Sequence, residues 1–106
     1  MPKFIFAYHG GSAPNPDDDA EIARIMGAWQ GWLEGMGAAC LDMGNPVGMS
    51  KTVTADGLRD DGGANPLSGY TIVEAADMAA ACDLAQGCPI LEGGAGSVEV
   101  APIMEM

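Results

Sequence analysis

Basic residues are scarce in this sequence. Four Lys and Arg stand against fifteen Asp and Glu among 106 residues, which gives a formal net charge of −11 at pH 7. Binding to a phosphate backbone needs clustered cations, and docking on an anionic bilayer needs a polybasic segment. The charge balance therefore excludes nucleic acid and anionic membrane surfaces as partners.

Metal-binding residue types are equally rare. His9 is the single histidine, and Cys40, Cys82 and Cys88 form an odd set without a CxxC pair. Structural zinc requires closely spaced ligands, and one histidine offers haem only one imidazole as an axial ligand. We therefore predict no metal and no cofactor. An odd number of unpatterned cysteines also favours reduced thiols and a cytoplasmic protein.

Long apolar runs are missing as well, because none reaches the ~20 residues of a membrane span. The run after Lys3 is too short for the core of a signal peptide. Apolar residues nevertheless make up 48% of the chain, and the mean hydropathy is +0.12. This composition predicts one globular domain over residues 1–106.

Two segments carry the strongest structural signals. In residues 3–9 the side chains that alternate between the two faces of the predicted strand are apolar on both faces, which is typical of a central strand. Asn15 and Pro16 are suited to the start of a helix over residues 16–36, whose apolar residues recur at helical spacing. Gly37 is a plausible C-terminal cap for this helix.

The remaining elements complete a split βαβ pattern. We predict strands at 38–43, 69–75 and 97–101, an optional hairpin within 47–59, a loop over 56–69, and a helix at 77–86 capped by Asp77. The fold class is therefore α+β and ferredoxin-like, a four-stranded antiparallel sheet with two helices on one face. Because the other face of the first strand is also apolar, a second copy of the chain is expected to cover it as a homodimer.

Several segments resemble the YCII-related (DGPF-type) family. They are the opening strand, the helix ending with Trp29, Leu33 and Gly37, and the C-terminal half, in which a GSVEV-x-P segment is the most specific feature. The resemblance covers nearly the whole chain and implies a homodimeric α+β barrel. Members of the family include small-molecule enzymes, among them a dehydrochlorinase of chlorinated hydroquinones.

Two features depart from this family. The Asp-Gly-Pro-Phe loop is replaced by Asp61-Gly62-Gly63-Ala64, so a loop that closes over a pocket is expected to be altered. Relatives are proposed to use a histidine on the first helix paired with an aspartate, whereas Met26 stands near that place here. The resemblance therefore transfers no catalytic dyad.

Candidate functional residues follow from side-chain chemistry. His9 ends the first strand before two glycines and is the natural general base, because histidine titrates near neutral pH. Asp42 is the better acid–base partner among the strand carboxylates. Tyr8 and Tyr70 offer phenolic donors to a ligand, while Trp29 and Trp32 lie on the helix stripe and are expected in the core.

Two functions remain open at this level. The first is a small-molecule enzyme that transfers protons in a pocket between sheet and helices, with His9 as its base. The second is a non-catalytic small-ligand-binding or regulatory dimer. The first predicts His9 and a carboxylate inside an enclosed pocket, and the second predicts no convergent polar groups around His9.

Overall fold

The chain folds as an α+β structure with a four-stranded antiparallel sheet. The computed structural model describes residues 1–11 and 15–105. Within them, the sheet order is β2-β5-β1-β6, and β3 pairs with β4 in a separate hairpin. The elements are β1 (Lys3–Gly10), α1 (Asp19–Met36), β2 (Cys40–Asp42), β3 (Thr52–Thr54), β4 (Gly57–Arg59), β5 (Leu67–Glu74), α2 (Met78–Ala85) and β6 (Gly96–Pro102). This arrangement confirms the ferredoxin-like prediction.

The central position of β1 follows from its two-sided apolar pattern. Phe4, Phe6 and Tyr8 are buried on the face that α1 and α2 cover, next to Val73 and Thr71 of β5. The alternate residues Ile5, Ala7 and His9 lie on the opposite face and are only half-buried. One sheet face therefore forms the core. No described helix covers the helix-free face, defined by these alternate positions, although the carbonyl oxygens of Asn65 and Pro66 contact the His9 ring there.

The first helix begins at Asp19 rather than at Pro16 as the sequence predicts. Asp18 is its N-cap, because its Oδ1 accepts a hydrogen bond of 3.0 Å from the backbone N–H of Glu21. Asn15 instead accepts from the N–H of Asp17 and shapes the preceding turn. Either side chain is suitable for an N-cap, so the pattern alone did not distinguish them. At the other end, Gly37 caps the helix with a positive φ, as predicted.

The two helices approach the sheet differently. Asp77 caps α2 through a 2.8 Å bond from the N–H of Ala80, and the small residues Ala81 and Ala85 allow this helix to lie in direct contact with the core. By contrast, α1 has no fully buried residue and touches the core through large half-buried side chains, chiefly Trp29, Trp32 and Met36. The bulk of these side chains keeps part of α1 away from the sheet.

Trp32 fixes the distance between α1 and the rest of the fold. Its ring stacks on Phe6 with centroids 6.1 Å apart, and its Nε1–H donates to the carbonyl oxygen of Leu84 at 3.0 Å. One side chain thus joins α1 to both β1 and α2. The prediction that Trp32 belongs to the core is confirmed.

The segment between β2 and β5 differs most from the sequence-based prediction. β2 is shorter than the predicted 38–43, β5 begins at Leu67 rather than 69, and β3 and β4 confirm the optional hairpin. Short polar turns hold the segment between β2 and β5 together, which explains why apolar periodicity did not define its boundaries. After α2, the 3₁₀ turns within Pro89–Gly94, which a kink at Glu92 and Gly93 interrupts, were also not predicted.

No helix in the described ranges 1–11 and 15–105 is long and apolar enough to cross a bilayer. In the same ranges, no group of three or more His, Cys, Asp or Glu residues could hold a metal ion. Cys40, Cys82 and Cys88 are free thiols.

Candidate functional site

The gap under α1 forms an apolar cavity of about 620 Å³. Trp29 and Leu33 of α1 form its roof, Tyr8 and Thr71 lie on the sheet side, and residues 43–46 close one flank. Its size and apolar lining match the pockets in which proteins bind small organic molecules. We name this space the α1 cavity.

Two glycines allow the 43–46 flank to approach the sheet. Gly44 has φ +71°, and a Cβ there would overlap the backbone oxygen of Tyr70. Gly69 lies against the Tyr8 ring and the carbonyl oxygen of Asn45, which in turn accepts a 3.3 Å bond from the N–H of Tyr70. The flank is therefore held by backbone contacts that larger residues would prevent.

A short hydrogen-bond chain crosses the floor of the α1 cavity. The Tyr8 hydroxyl donates to Oγ1 of Thr71 at 2.6 Å, and Thr71 donates to the carbonyl oxygen of Met43 at 3.0 Å. Burial raises the pKa of Tyr8 well above its ordinary value, although the Thr71 hydrogen bond acts in the opposite direction. Tyr8 is therefore a neutral phenol at physiological pH.

A second cavity, of about 570 Å³, lies under the other side of α1. Its polar wall is an ion-pair cluster in which Arg24 contacts Glu21 at 2.6 Å and Glu92 at 2.9 Å. The hydrogen bonds from Arg24 hold the pKa of the Glu21 carboxyl below its ordinary value. Trp29, Ser68 and a few neighbours border both cavities, so the two spaces are adjacent.

His9 lies on the helix-free face and not among the described residues that line either cavity. Strand alternation explains this, because His9 follows Ile5 and Ala7 on the side away from α1. Its Nε2 is 2.9 Å from Oε1 of Glu99, and its Nδ1 is 3.0 Å from the carbonyl oxygen of Asn65. Both ring nitrogens therefore face oxygen acceptors, and His9 does not lie between the sheet and the helices as predicted.

The other predicted site residues separate into two groups. Tyr8 and Tyr70 both contribute to the lining of the α1 cavity. Tyr70 pairs with Ala7 in the sheet, however, so its side chain belongs to the helix-free face and the Tyr8 phenol alone of the two lies on the helix side. Asp42 lies on edge strand β2, which β5 separates from β1, and its Oδ1 accepts a 2.8 Å bond from the N–H of Gly44. In this position Asp42 supports the turn that forms the cavity flank rather than approaching His9.

Sequence reasoning missed three features of these sites. Trp29 borders both cavities as well as packing edge-on against Tyr8 at 5.1 Å between centroids. Glu99 is an outward strand residue whose pattern indicates only a solvated charge. Ser68 faces the helices because of a local irregularity in β5, and such an irregularity leaves no apolar signature.

The altered loop at residues 61–64 lies at the base of the hairpin. Asp61 Oδ1 accepts from the N–H of Gly63 at 3.0 Å, and the Asp61 carbonyl oxygen accepts from the Thr52 hydroxyl at 2.7 Å. None of these four residues is among those described as lining the two cavities. In this chain the loop completes the hairpin base.

Comparisons with known proteins support the fold. No protein-family model matches the sequence, and no curated protein matches it. Among solved structures, the chain is similar to 5-chloro-2-hydroxyhydroquinone dehydrochlorinase (TftG) from Burkholderia phenoliruptrix AC1100, in complex with 2,5-dihydroxybenzoquinone. The two chains share 16% identity at a TM-score of 0.57, over 97% of this chain and 95% of that chain. At this identity the similarity establishes a common α+β fold.

The burial of the Cys88 thiol beside Tyr8 can be tested by measuring stability as a function of pH. It is 3% exposed beside Tyr8, and burial raises its pKa from 9.0 to about 11. Since the neutral thiol is favoured in the folded chain, this stabilisation is complete below pH 9 and is lost as the pH rises towards 11. Between pH 9 and pH 10, the free energy of unfolding should fall by about 1 kcal/mol more in the wild type than in Cys88→Ala.

Urea denaturation across this pH range measures the difference. Cys82→Ala is the control, because Cys82 is a less buried thiol on α2, the helix that precedes Cys88, and it should retain the wild-type slope. Parallel slopes for the wild type and Cys88→Ala would contradict the assignment.

Proposed function

We propose that this chain binds a small aromatic compound in the α1 cavity. The observation that carries the proposal is the apolar space under Trp29 and Leu33, which no described side chain fills. Aromatic rings prefer stacked or edge-on partners, and both Trp29 and Tyr8 border this space. The neutral hydroxyl of Tyr8 is consistent with an uncharged ligand.

The structural neighbour supports this choice of ligand. TftG is described in complex with 2,5-dihydroxybenzoquinone, a flat ring with small polar substituents. A cavity with an aromatic roof and few polar groups suits a ring of this kind. We also infer that this chain is a distant YCII-related protein, and its three free thiols are consistent with the cytoplasm.

Filling the cavity tests the proposal. We expect wild-type protein to bind p-cresol in isothermal titration calorimetry, and Leu33→Trp to weaken binding at least about tenfold because the larger ring occupies the ligand's space. Met49→Trp introduces the same ring at a fully exposed position that borders neither described cavity and should bind as the wild type does. Equal affinities for Leu33→Trp and Met49→Trp would reject the α1 cavity as the binding site.

Proton transfer by His9 is the second candidate function. Its support is Glu99, whose carboxylate lies 2.9 Å from Nε2 of His9. Because the Glu99 side chain is 68% exposed, it can rotate away and leave Nε2 accessible. Because carbonyl oxygens can only accept, Nδ1 keeps its hydrogen towards Asn65 while Nε2 becomes the basic atom. In a dehydrochlorination, such a base takes a proton from a ring hydroxyl or ring carbon, the electron pair of that bond forms the new double bond, and chloride leaves with the electron pair of the C–Cl bond.

Chloride release measures this activity. We expect wild-type protein to release chloride from 5-chloro-2-hydroxyhydroquinone, the compound in the name of the structural neighbour TftG. The rate of chloride release by His9→Ala should be at least about a hundredfold lower. Ser97→Ala, a conservative change on β6, should retain the rate. If the wild type matches the buffer rate, or if His9→Ala matches the wild type, this second candidate is rejected.

We further propose that the helix-free face is covered by a second copy of the chain. The isolated chain is only 21 Å thick, with an accessible surface of 7005 Å². A folded monomer of this mass is expected to expose about 5,500 Å². The excess of about 1,500 Å² is within the range that each subunit of an obligate dimer buries.

The hairpin supports the same conclusion. Val53 and Leu58 form a cross-strand apolar pair, yet they are 79% and 63% exposed. An isolated two-stranded hairpin is marginally stable in water, so packing against a partner would stabilise it. The radius of gyration, 15.1 Å, also exceeds the value of about 13 Å expected for a compact domain of this length.

A charge on the helix-free face tests the dimer. Ile72 lies beside Ile5 in the register of β5 and β1, so Ile72→Lys should place an ammonium group in the interface and convert the dimer to monomer at micromolar concentration. Leu91→Lys introduces the same charge at a partly exposed site on the helix side and should remain dimeric. Sedimentation velocity distinguishes the two species, and a monomeric wild-type chain would contradict the proposal.

A further inference from the structure

The pairing of β1 with β5 contains one irregular step. Tyr8 pairs with Gly69, but the next residue of β1, His9, pairs with Leu67, so Ser68 is left without a partner in the ladder. This is a β-bulge, a feature that redirects side chains and is common next to binding sites. Leu67 consequently takes the place opposite His9 that strict alternation would give to Ser68.

The bulge places Ser68 beneath α1. Ser68 borders both the α1 cavity and the second cavity, at the point where the two spaces adjoin. Its hydroxyl oxygen is buried, and among the buried side-chain nitrogen and oxygen atoms in the described part of the chain it is the one that lacks a hydrogen-bond partner. A buried hydroxyl without a partner destabilises a fold, and a ligand that hydrogen-bonds to it would offset this cost.

The neighbouring polar groups are already engaged. Tyr8 donates to Thr71, Thr71 donates to the Met43 carbonyl oxygen, and the Gln30 amide donates to Glu34. In the second cavity, Arg24 is held between two carboxylates. Of the residues that border both cavities, Trp29 and Ser68 carry polar side-chain atoms, and the Ser68 hydroxyl is the one that can both donate and accept.

We propose that the Ser68 hydroxyl anchors the hydroxyl group of an uncharged ring bound in the α1 cavity. This inference rests on the proposed function and adds the residue that selects the ligand. A serine hydroxyl both donates and accepts, and rotation about χ1 moves its oxygen by about 2 Å between staggered positions. The ring would lie under Trp29 with its hydroxyl directed to the cavity junction.

The charges around the site select against anionic ligands. The one cation bordering the described cavities, Arg24, is neutralised by Glu21 and Glu92, and the whole chain carries a net charge of −11. Transferring a carboxylate into an apolar space without a counter-ion is costly. We therefore expect a phenol to bind and the corresponding benzoate to be rejected.

Three matched compounds test this selection by isothermal titration calorimetry: p-cresol, toluene and 4-methylbenzoate. Wild-type protein should bind p-cresol about five- to tenfold more tightly than toluene, the difference expected for one net hydrogen bond, and should bind 4-methylbenzoate most weakly. In Ser68→Ala, the p-cresol and toluene affinities should agree within about twofold, while Ser97→Ala keeps the wild-type preference.

Thermal unfolding without ligand provides a second, independent measurement. Because the Ser68 hydroxyl has no partner in the protein, Ser68→Ala should have a Tm equal to or above that of the wild type. A Tm several degrees lower would show that the hydroxyl has a structural partner and would overturn the assignment.

The binding outcomes separate the two proposals. If the wild type binds p-cresol and toluene equally, or if Ser68→Ala keeps the preference for p-cresol, the role of Ser68 is overturned while the α1 cavity remains a binding site. If the wild type binds neither compound, the proposed function is overturned together with the role of Ser68.

Discussion

The apolar character of β1 on both faces determines how the rest of the chain is arranged. Phe4, Phe6 and Tyr8 must be buried on one side, and both helices pack there. Ile5 and Ala7 make the other side partly apolar, although no helix of the described chain covers it. The same strand thus accounts for the core of one copy and for the surface on which a second copy is proposed to pack.

The contrast between the two helices accounts for the cavity. Ala81 and Ala85 bring α2 directly onto the sheet, whereas Trp32 spans from α1 to Phe6 and to the carbonyl oxygen of Leu84. Helix packing distances depend on the side chains at the contact, so the tryptophans hold part of α1 away from the sheet. The space left beneath Trp29 and Leu33 is therefore a consequence of residue size.

Much of the fold was predictable from local signals. Two-face alternation indicated the central strand, apolar spacing and Asp77 indicated the helices, and glycines and prolines indicated the turns. The exact helix start was not predictable, because Asn15 and Asp18 are equally suitable caps. Strand periodicity explains the error about His9: it fixes alternation but does not say which alternate set the helices cover. The β-bulge at Ser68 and the His9–Glu99 contact depend on pairing between distant residues, which one sequence does not specify.

The location of the ligand tests the account most directly. Intermolecular NOEs between p-cresol and the uniformly labelled protein report which side chains lie beside the bound ring. We expect cross-peaks from the ligand to the Trp29 indole and the Leu33 methyl groups, which border the α1 cavity. Cross-peaks to the Ile5 and Ile72 methyl groups without any to Trp29 would contradict it, because they would locate the ligand on the helix-free face.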